Sequence, residues 1–351
     1  MKKILFVTHE ESRTGAPKVV YEVAREMKKS YDVKMVSLEN GSMHSEFEME
    51  FGRIIYGGTS EDDCRSIILD EKPDLVYVNS LSSYRFAIVA KKLDILVIFH
   101  VHELHGGFQS VFDEQQLSEF GEYADIFIVV SKPVENLLVN GLGCEASKVM
   151  MLNAFVNSKD IIEKSMDKYF DFTKDVRARG RIVVMGLGYF NRRKGSDYFV
   201  NAYKILNQKF PGKYLFLWVG NKGQLDFGGL GNDILILGEK ENPYPYIKNS
   251  DIFILPSRED PFPLVALEAM ALGKPVIAFK GGGGIPEAIV DCGVIVENMN
   301  SWFLADEIEK LSEDKNLMKN LGAKAIVKQK KYYDSGVIMS KIKKVVNSLI
   351  N

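Results

Sequence analysis

Cysteine is scarce in this chain: Cys64, Cys144 and Cys292 are the only three in 351 residues. No C-x-x-C pair exists, so zinc ribbons and thioredoxin-type redox motifs are excluded. A sparse, odd count fits a reducing compartment. Long apolar runs are also missing, and none approaches the ~18 residues that a spanning helix needs. The apolar stretch Ile4–Thr8 is too short for the core of a signal peptide. An excess of charge of either sign is absent too, with 45 Lys+Arg against 47 Asp+Glu. That balance excludes a protein whose main business is non-specific binding to nucleic acid. The loop after the first strand holds neither G-x-G-x-x-G nor a P-loop, so the first half is not a dinucleotide or ATP domain. No two aspartates are spaced Asp-x-Asp, which removes a common mark of a metal-bridged diphosphate. These absences leave a soluble, cytoplasmic protein, with peripheral contact to the inner face of a membrane left open.

What is present is ordinary globular composition, 46% apolar and 26% charged. Thirteen short β-type runs recur along the chain. In the first half they are Lys3–Thr8, Val33–Leu38, Arg53–Tyr56, Asp74–Asn79, Ile95–His102, Ile126–Ser131 and Val149–Leu152. In the second they are Arg181–Gly186, Tyr214–Gly220, Ile234–Gly238, Ile252–Pro256, Pro275–Phe279 and Val294–Val296. Most are continuous in Val, Ile, Leu and Phe, the pattern of parallel strands buried on both faces. Helical stripes lie between them, such as Val19, Val20, Val23 and Met27, or Phe199, Ala202, Tyr203 and Leu206. The alternation predicts an α/β protein, and so many strands predict two doubly wound halves. From Asn157 to Arg179 strand pattern gives way to dense charge. The expected division is an N-terminal domain over 1–165, a linker over 166–180 and a C-terminal domain over 181–330. A helix over 331–351, striped by Ile338, Ile342, Val345 and Leu349, is expected to pack back toward the N-terminal domain. The charge is unevenly divided: 18 basic against 26 acidic residues up to 165, and 27 against 21 after it.

Open α/β sheets bind ligands beyond the carboxyl ends of their strands, so the strand-to-helix loops are the place to look. After Ile252–Pro256 comes Ser257-Arg258-Glu259-Asp260-Pro261-Phe262-Pro263. The spacing puts Asp260 ahead of a helix, Pro263 in its first turn and Glu268 one to two turns in. Glu268 is a carboxylate inside the apolar run Leu264–Leu272. It needs hydrogen-bond donors, either from ligand hydroxyls or from a core Arg or backbone. After Arg181–Gly186 the chain reads Gly186-Leu187-Gly188-Tyr189-Phe190-Asn191-Arg192-Arg193-Lys194-Gly195-Ser196. Three cations ahead of a helix fit a diphosphate, or else a solvated basic turn. Gly281-Gly282-Gly283-Gly284 would let backbone N–H groups approach a ligand. In the first half His100, His102 and Glu103 close a strand, with His100 and His102 on one face. That pair reads as catalytic or sugar-binding, as structural, or as part of a metal site lacking a clear third ligand. The loop Ser12-Arg13-Thr14-Gly15-Ala16-Pro17 completes the set.

Together these loops resemble the retaining glycosyltransferases of family 4, over nearly the whole chain. The matching residues are Thr14-Gly15-Ala16-Pro17, His102-Glu103, Ala124–Ser131, Asn153, Arg193-Lys194-Gly195, Val219-Gly220, Asp251–Ser257, Pro263–Pro275 and Gly282-Gly283 with Glu287. The resemblance implies the GT-B architecture, two Rossmann-like doubly wound domains facing each other across a cleft. It implies transfer of a sugar from a nucleotide-diphosphate sugar, UDP- or GDP-linked, to a hydroxyl of a glycan, lipid-linked or other acceptor. It also implies polysaccharide biosynthesis as the setting, no cofactor and no metal. Residue by residue, Arg193 and Lys194 would hold the diphosphate and Asp260 would lie near the transferred sugar. Glu268 would bind the ribose, and Gly282, Gly283 and Gly284 would offer amides near the donor sugar. His102 would face that sugar and Gly15 would let the first loop approach the phosphates. Asp260 stands where the family usually has Glu, Pro263 where it often has Gly, and Tyr189 where many members carry an Arg. The rival readings are a non-catalytic GT-B partner subunit and a nucleotide-sugar epimerase.

Overall fold

The computed structural model describes the chain except residues 168, 169, 171, 173–179, 222, 224–226, 229 and 351. Most of the expected linker, 166–180, lies outside the described residues. All thirteen expected strands form: β1 (Lys3–Thr8), β2 (Asp32–Ser37), β3 (Ile55–Tyr56), β4 (Leu75–Asn79), β5 (Leu96–Val101), β6 (Ile126–Val129), β7 (Val149–Met151), β8 (Ile182–Leu187), β9 (Tyr214–Val219), β10 (Ile234–Ile236), β11 (Ile252–Leu255), β12 (Val276–Phe279) and β13 (Gly293–Val296). They make two sheets, of seven strands in the order β3-β2-β1-β4-β5-β6-β7 and of six in the order β10-β9-β8-β11-β12-β13. Each pairing within them is parallel. In both sheets the strand order reverses beside the first strand, between β1 and β4 and between β8 and β11. Such switch points leave a crevice at the carboxyl ends of the two strands.

The chain divides into two compact units, Met1–Ala154 with Gly336–Asn351, and Phe155–Ser335. The first division falls before the helix Ser158–Lys164, which the charge pattern had grouped with the N-terminal domain. That helix packs on the helices Tyr244–Lys248 and Leu264–Ala271. The helix Ser335–Ile350 groups with the first unit, where the Tyr31 hydroxyl donates to Asn347 Oδ1. Its buried stripe is wider than the sequence spacing suggested. Met339, Val346 and Ile350 are buried with Ile338, Ile342 and Val345, whereas Leu349 is only half-buried.

The apolar strands are buried as their composition demands. Every residue of β9 is buried, and the rings of Phe199 and Phe216 meet edge-on with centroids 5.0 Å apart. Gly186 in β8 makes room for Trp218, since a Cβ there would stand 2.6 Å from the indole. Fully burying one such side chain contributes about 1.5–3 kcal/mol. Among the described residues no helix is long and apolar enough to cross a membrane.

Candidate functional site

In the second unit the two switch-point loops are drawn together by main-chain contacts. The loop after β8 turns through Asn191, whose Oδ1 accepts from Lys194 N at 2.9 Å while its carbonyl accepts from Ser196 Oγ at 3.0 Å. Gly195 has φ +72°, and a Cβ there would sit 1.8 Å from the carbonyl oxygen of Pro256 in the neighbouring loop. Only glycine allows the two backbones so close. Arg258 N then donates to Arg193 O at 2.9 Å.

Arg258 is the clasp of this junction, and sequence reasoning missed it. Its guanidinium grips the Asp197 carboxylate through two bonds of 2.7 and 2.6 Å, donates to Arg192 O at 2.5 Å and lies 4.1 Å above the Tyr198 ring. Bidentate geometry and stacking are what arginine offers and lysine lacks. The pairing holds the Asp197 carboxyl below its ordinary range, against the opposing effect of burial, and raises the Arg258 guanidinium.

The predicted donor residues meet on this frame. Lys194 Nζ forms an ion pair with Asp260 Oδ2, whose side chain is 7% exposed against 15% for the lysine. Ser257 Oγ donates to the same carboxylate at 3.5 Å. Asp260 is also stitched to the glycine loop: Asp260 N donates to Gly282 O at 2.9 Å and Gly284 N to Asp260 O at 3.1 Å. Gly283 between them has φ +113°, and a Cβ would stand 1.8 Å from Asp260 O. Loops from β8, β11 and β12 are thus joined into one rim. Arg193 lies on its exposed side, donating to Glu259 O at 2.9 Å. Pro263 is the residue before the helix Leu264–Ala271 rather than in its first turn. Glu268 is the fifth residue of that helix and buried, as its apolar neighbours implied. The Tyr244 hydroxyl donates to Glu268 Oε1 at 3.4 Å.

In the first unit the β1, β4 and β5 loops converge on Asn79, a second residue the sequence did not mark. Asn79 Nδ2 donates to Ala16 O at 3.2 Å, next to Gly15 at the start of the helix Gly15–Met27. Its Oδ1 therefore faces His102 Nε2, 2.9 Å away, and that nitrogen carries the proton. The main chain at Ala16, next to Gly15, and the His102 ring are tied to one side chain in this way. His100 and His102 do share a face, with ring centroids 4.1 Å apart. His100 Nδ1 lies 2.9 Å from the Tyr77 hydroxyl. Burial pushes the His100 imidazole down to about 3 and holds His102 well below its usual value, so both rings are neutral near pH 7. Glu103 moves the other way because its carboxyl is buried, although Ser80 Oγ and two backbone amides bond to it. Among the described residues no group of three or more His, Cys, Asp or Glu side chains is placed to hold a metal ion.

Known families match the chain in succession. Glycosyltransferase Family 4 matches residues 13–159 and Glycosyl transferases group 1 matches residues 167–328. An uncharacterized glycosyltransferase of Methanocaldococcus jannaschii is 24% identical over 169 residues, 45% of this chain and 40% of that protein. A D-inositol 3-phosphate glycosyltransferase of Streptomyces bingchenggensis is 45% identical over 64 residues, 18% of this chain and 14% of that one. The matched stretches span less than half the length of either relative. Among solved structures, Anabaena HepE in complex with UDP superposes with a TM-score of 0.84 at 18% identity, covering 99% of this chain and 100% of that one. A glycosyltransferase from Rickettsia africae gives 0.81 at 19% identity, covering 100% and 99%. Likeness at such identities carries the fold, and the matched families carry the rest. The chain belongs to the group 1, family 4 glycosyltransferases and is built on their GT-B fold.

Proposed function

We propose that this protein is a retaining, metal-independent glycosyltransferase that moves a sugar from a nucleoside-diphosphate sugar to a hydroxyl of a glycan or lipid-linked acceptor. The observation that carries the reading is the switch-point rim of the second unit, where Arg193, the Lys194–Asp260 pair and the glycine loop are held together. UDP is the favoured leaving group, because HepE, of the same fold, was solved with UDP and with UDP-glucose.

In the proposed reaction the bond between the anomeric carbon and the β-phosphate oxygen breaks, and a bond to the acceptor oxygen forms on the same face. The acceptor proton passes to the departing diphosphate. Negative charge grows on that diphosphate, and Arg193 and Lys194 interact with it most strongly as it leaves, which lowers the barrier. Asp260 orients Lys194 and lies by the transferred sugar. Glu268 takes the ribose hydroxyls, with Tyr244 fixing its carboxylate. Gly282, Gly283 and Gly284 keep side chains away from the donor, as Gly15 does in the first unit. His102, neutral and oriented by Asn79, serves the sugar as a hydrogen-bonding group rather than as a cation.

The test is turnover of a panel of UDP- and GDP-sugars with chelator present. Arg193→Ala and Lys194→Ala should each lose roughly 10²–10³ in kcat, the size expected for one donor at a developing anion. Normal rates in both would end the leaving-group assignment, and full activity in Glu268→Ala would end the ribose assignment. Donor binding without turnover under any acceptor would favour the non-catalytic partner subunit. Conversion of the donor sugar without an acceptor would favour the epimerase. Sedimentation with liposomes tests the membrane contact left open by a lipid-linked acceptor.

A further inference from the structure

The second unit carries a hollow of about 370 Å³ between the helix Ser196–Lys209 and the start of the helix Ser301–Glu313. Its lining includes Tyr198, Asn201, Lys204, Met299, Asn300 and Trp302. That volume lies at the small end of the range for small-ligand sites. Trp302 is 67% exposed, whereas Trp218, the other tryptophan, is 1% exposed. Holding an indole largely in water forgoes the gain its burial would bring.

The groups around it suit one class of ligand. An aromatic face accepts the apolar C–H face of a pyranose ring. Asn201 and Asn300 present amides at its edge, and an amide can donate and accept across neighbouring hydroxyls. Asn300 Oδ1 already accepts from Trp302 N at 2.8 Å, which leaves its NH₂ as a donor. Lys204 is exposed beside them and would pair with an acidic substituent. A flat nucleobase would also stack, but none of the described residues lining the hollow is a carboxylate that could take ribose hydroxyls.

Two walls of the hollow lead back to the rim. The Tyr198 ring lies beneath Arg258, which holds Asp197 and Arg192, and meets Phe279 at the end of β12 edge-on at 5.0 Å. Met299 lies close to the glycine loop, for a Cβ on Gly281 would be 3.0 Å from its Cε. We propose that this hollow is a glycan-binding subsite, with one pyranose ring stacked on Trp302, coupled to the donor rim through Tyr198–Arg258 and Met299–Gly281. A growing or product glycan held there would remain attached while its end is extended elsewhere. The binding stands apart from the donor reading and does not need the chain to be active.

The two tryptophans make the test direct, because Trp218 is buried and acrylamide quenching reports chiefly on Trp302. The full chain is titrated with maltohexaose, cellohexaose and a galacturonate hexamer. At least one should shield Trp302 from acrylamide, and calorimetry with that saccharide should show binding. Trp302→Ala and Asn201→Ala, both on exposed side chains, should each weaken it about tenfold, which is about 1.4 kcal/mol. Asn201→Ala keeps the indole as a reporter, so lost shielding there reads the site rather than the probe. No shielding by any of the three saccharides overturns the proposal. So does unchanged affinity in both variants, and so does shielding by UDP alone, which would assign the hollow to the nucleotide. Donor turnover is measured separately, so either reading can fail while the other stands.

Discussion

The Lys194–Asp260 pair shows how little freedom a single residue has at this rim. Both side chains are mostly buried, so each charge depends on the other for what water would have supplied. Removing one partner of a fully buried pair costs about 3–5 kcal/mol, and the 15% exposure of Lys194 lowers that figure here. Lys194→Ala should therefore be less stable in urea than Lys194→Ala combined with Asp260→Asn, because the second change removes the stranded charge. Equal stability of the two would mean that water already solvates Asp260. His100 makes a different residue-scale prediction. Its folded pKa is depressed from 6.5 to about 3, so below 6.5 the unfolded chain takes up a proton that the folded chain refuses. Stability from this group is present above 6.5 and is lost as pH falls toward 3, at up to about 1.4 kcal/mol per pH unit. Glu103, shifted upward, acts in the opposite sense above its ordinary value, so the comparison must isolate His100. His100→Gln keeps a partner for Tyr77 and cannot titrate. Its deficit against the parent chain at pH 7, from urea unfolding followed by circular dichroism, should shrink by about 2 kcal/mol at pH 5. A deficit independent of pH would show that His100 protonates in place.

At the scale of elements, the strands were legible because parallel strands buried on both faces must be apolar throughout. The runs at β4, β9 and β11 announce themselves for that reason. Helix stripes were legible where period and burial coincide, as in Gly15–Met27. Arg258 and Asn79 were not. Each joins loops that become neighbours only because β11 lies beside β8, and β4 and β5 follow β1 in the sheet, although chain order separates them. The glycine loop falls between these cases: its four glycines were visible, but which of them the fold requires was not. Gly283 has φ +113° and no room for a Cβ beside Asp260 O, whereas Gly284 has φ −85° in the right-handed region. Gly283→Ala should break the Asp260 bridge and destabilise the chain by at least about 1–3 kcal/mol, the strain of such a backbone alone. Gly284→Ala should lose less than Gly283→Ala, because its backbone conformation carries no such strain. Thermal unfolding of the two variants checks this, and equal losses would remove the conformational argument for Gly283.

For the whole molecule, the near-neutral total conceals an acidic first half and a basic second one. The basic half contains the rim proposed for an anionic donor. Charge at such distances is screened in physiological salt, so the bias favours capture of the donor more than any fixed contact. Both tryptophans also lie in the second unit, Phe155–Ser335. Tryptophan emission therefore follows the unfolding of that unit, while circular dichroism follows both. A ligand bound only to a folded unit stabilises it by an amount set by its concentration over its dissociation constant, about 2.7 kcal/mol at a hundredfold excess. UDP should therefore raise the transition seen by tryptophan emission at least as much as that seen by circular dichroism. Lys194→Ala with Arg193→Ala should abolish most of the gain. A shift confined to circular dichroism would place the nucleotide on the first unit and remove the rim of β8, β11 and β12 as its site.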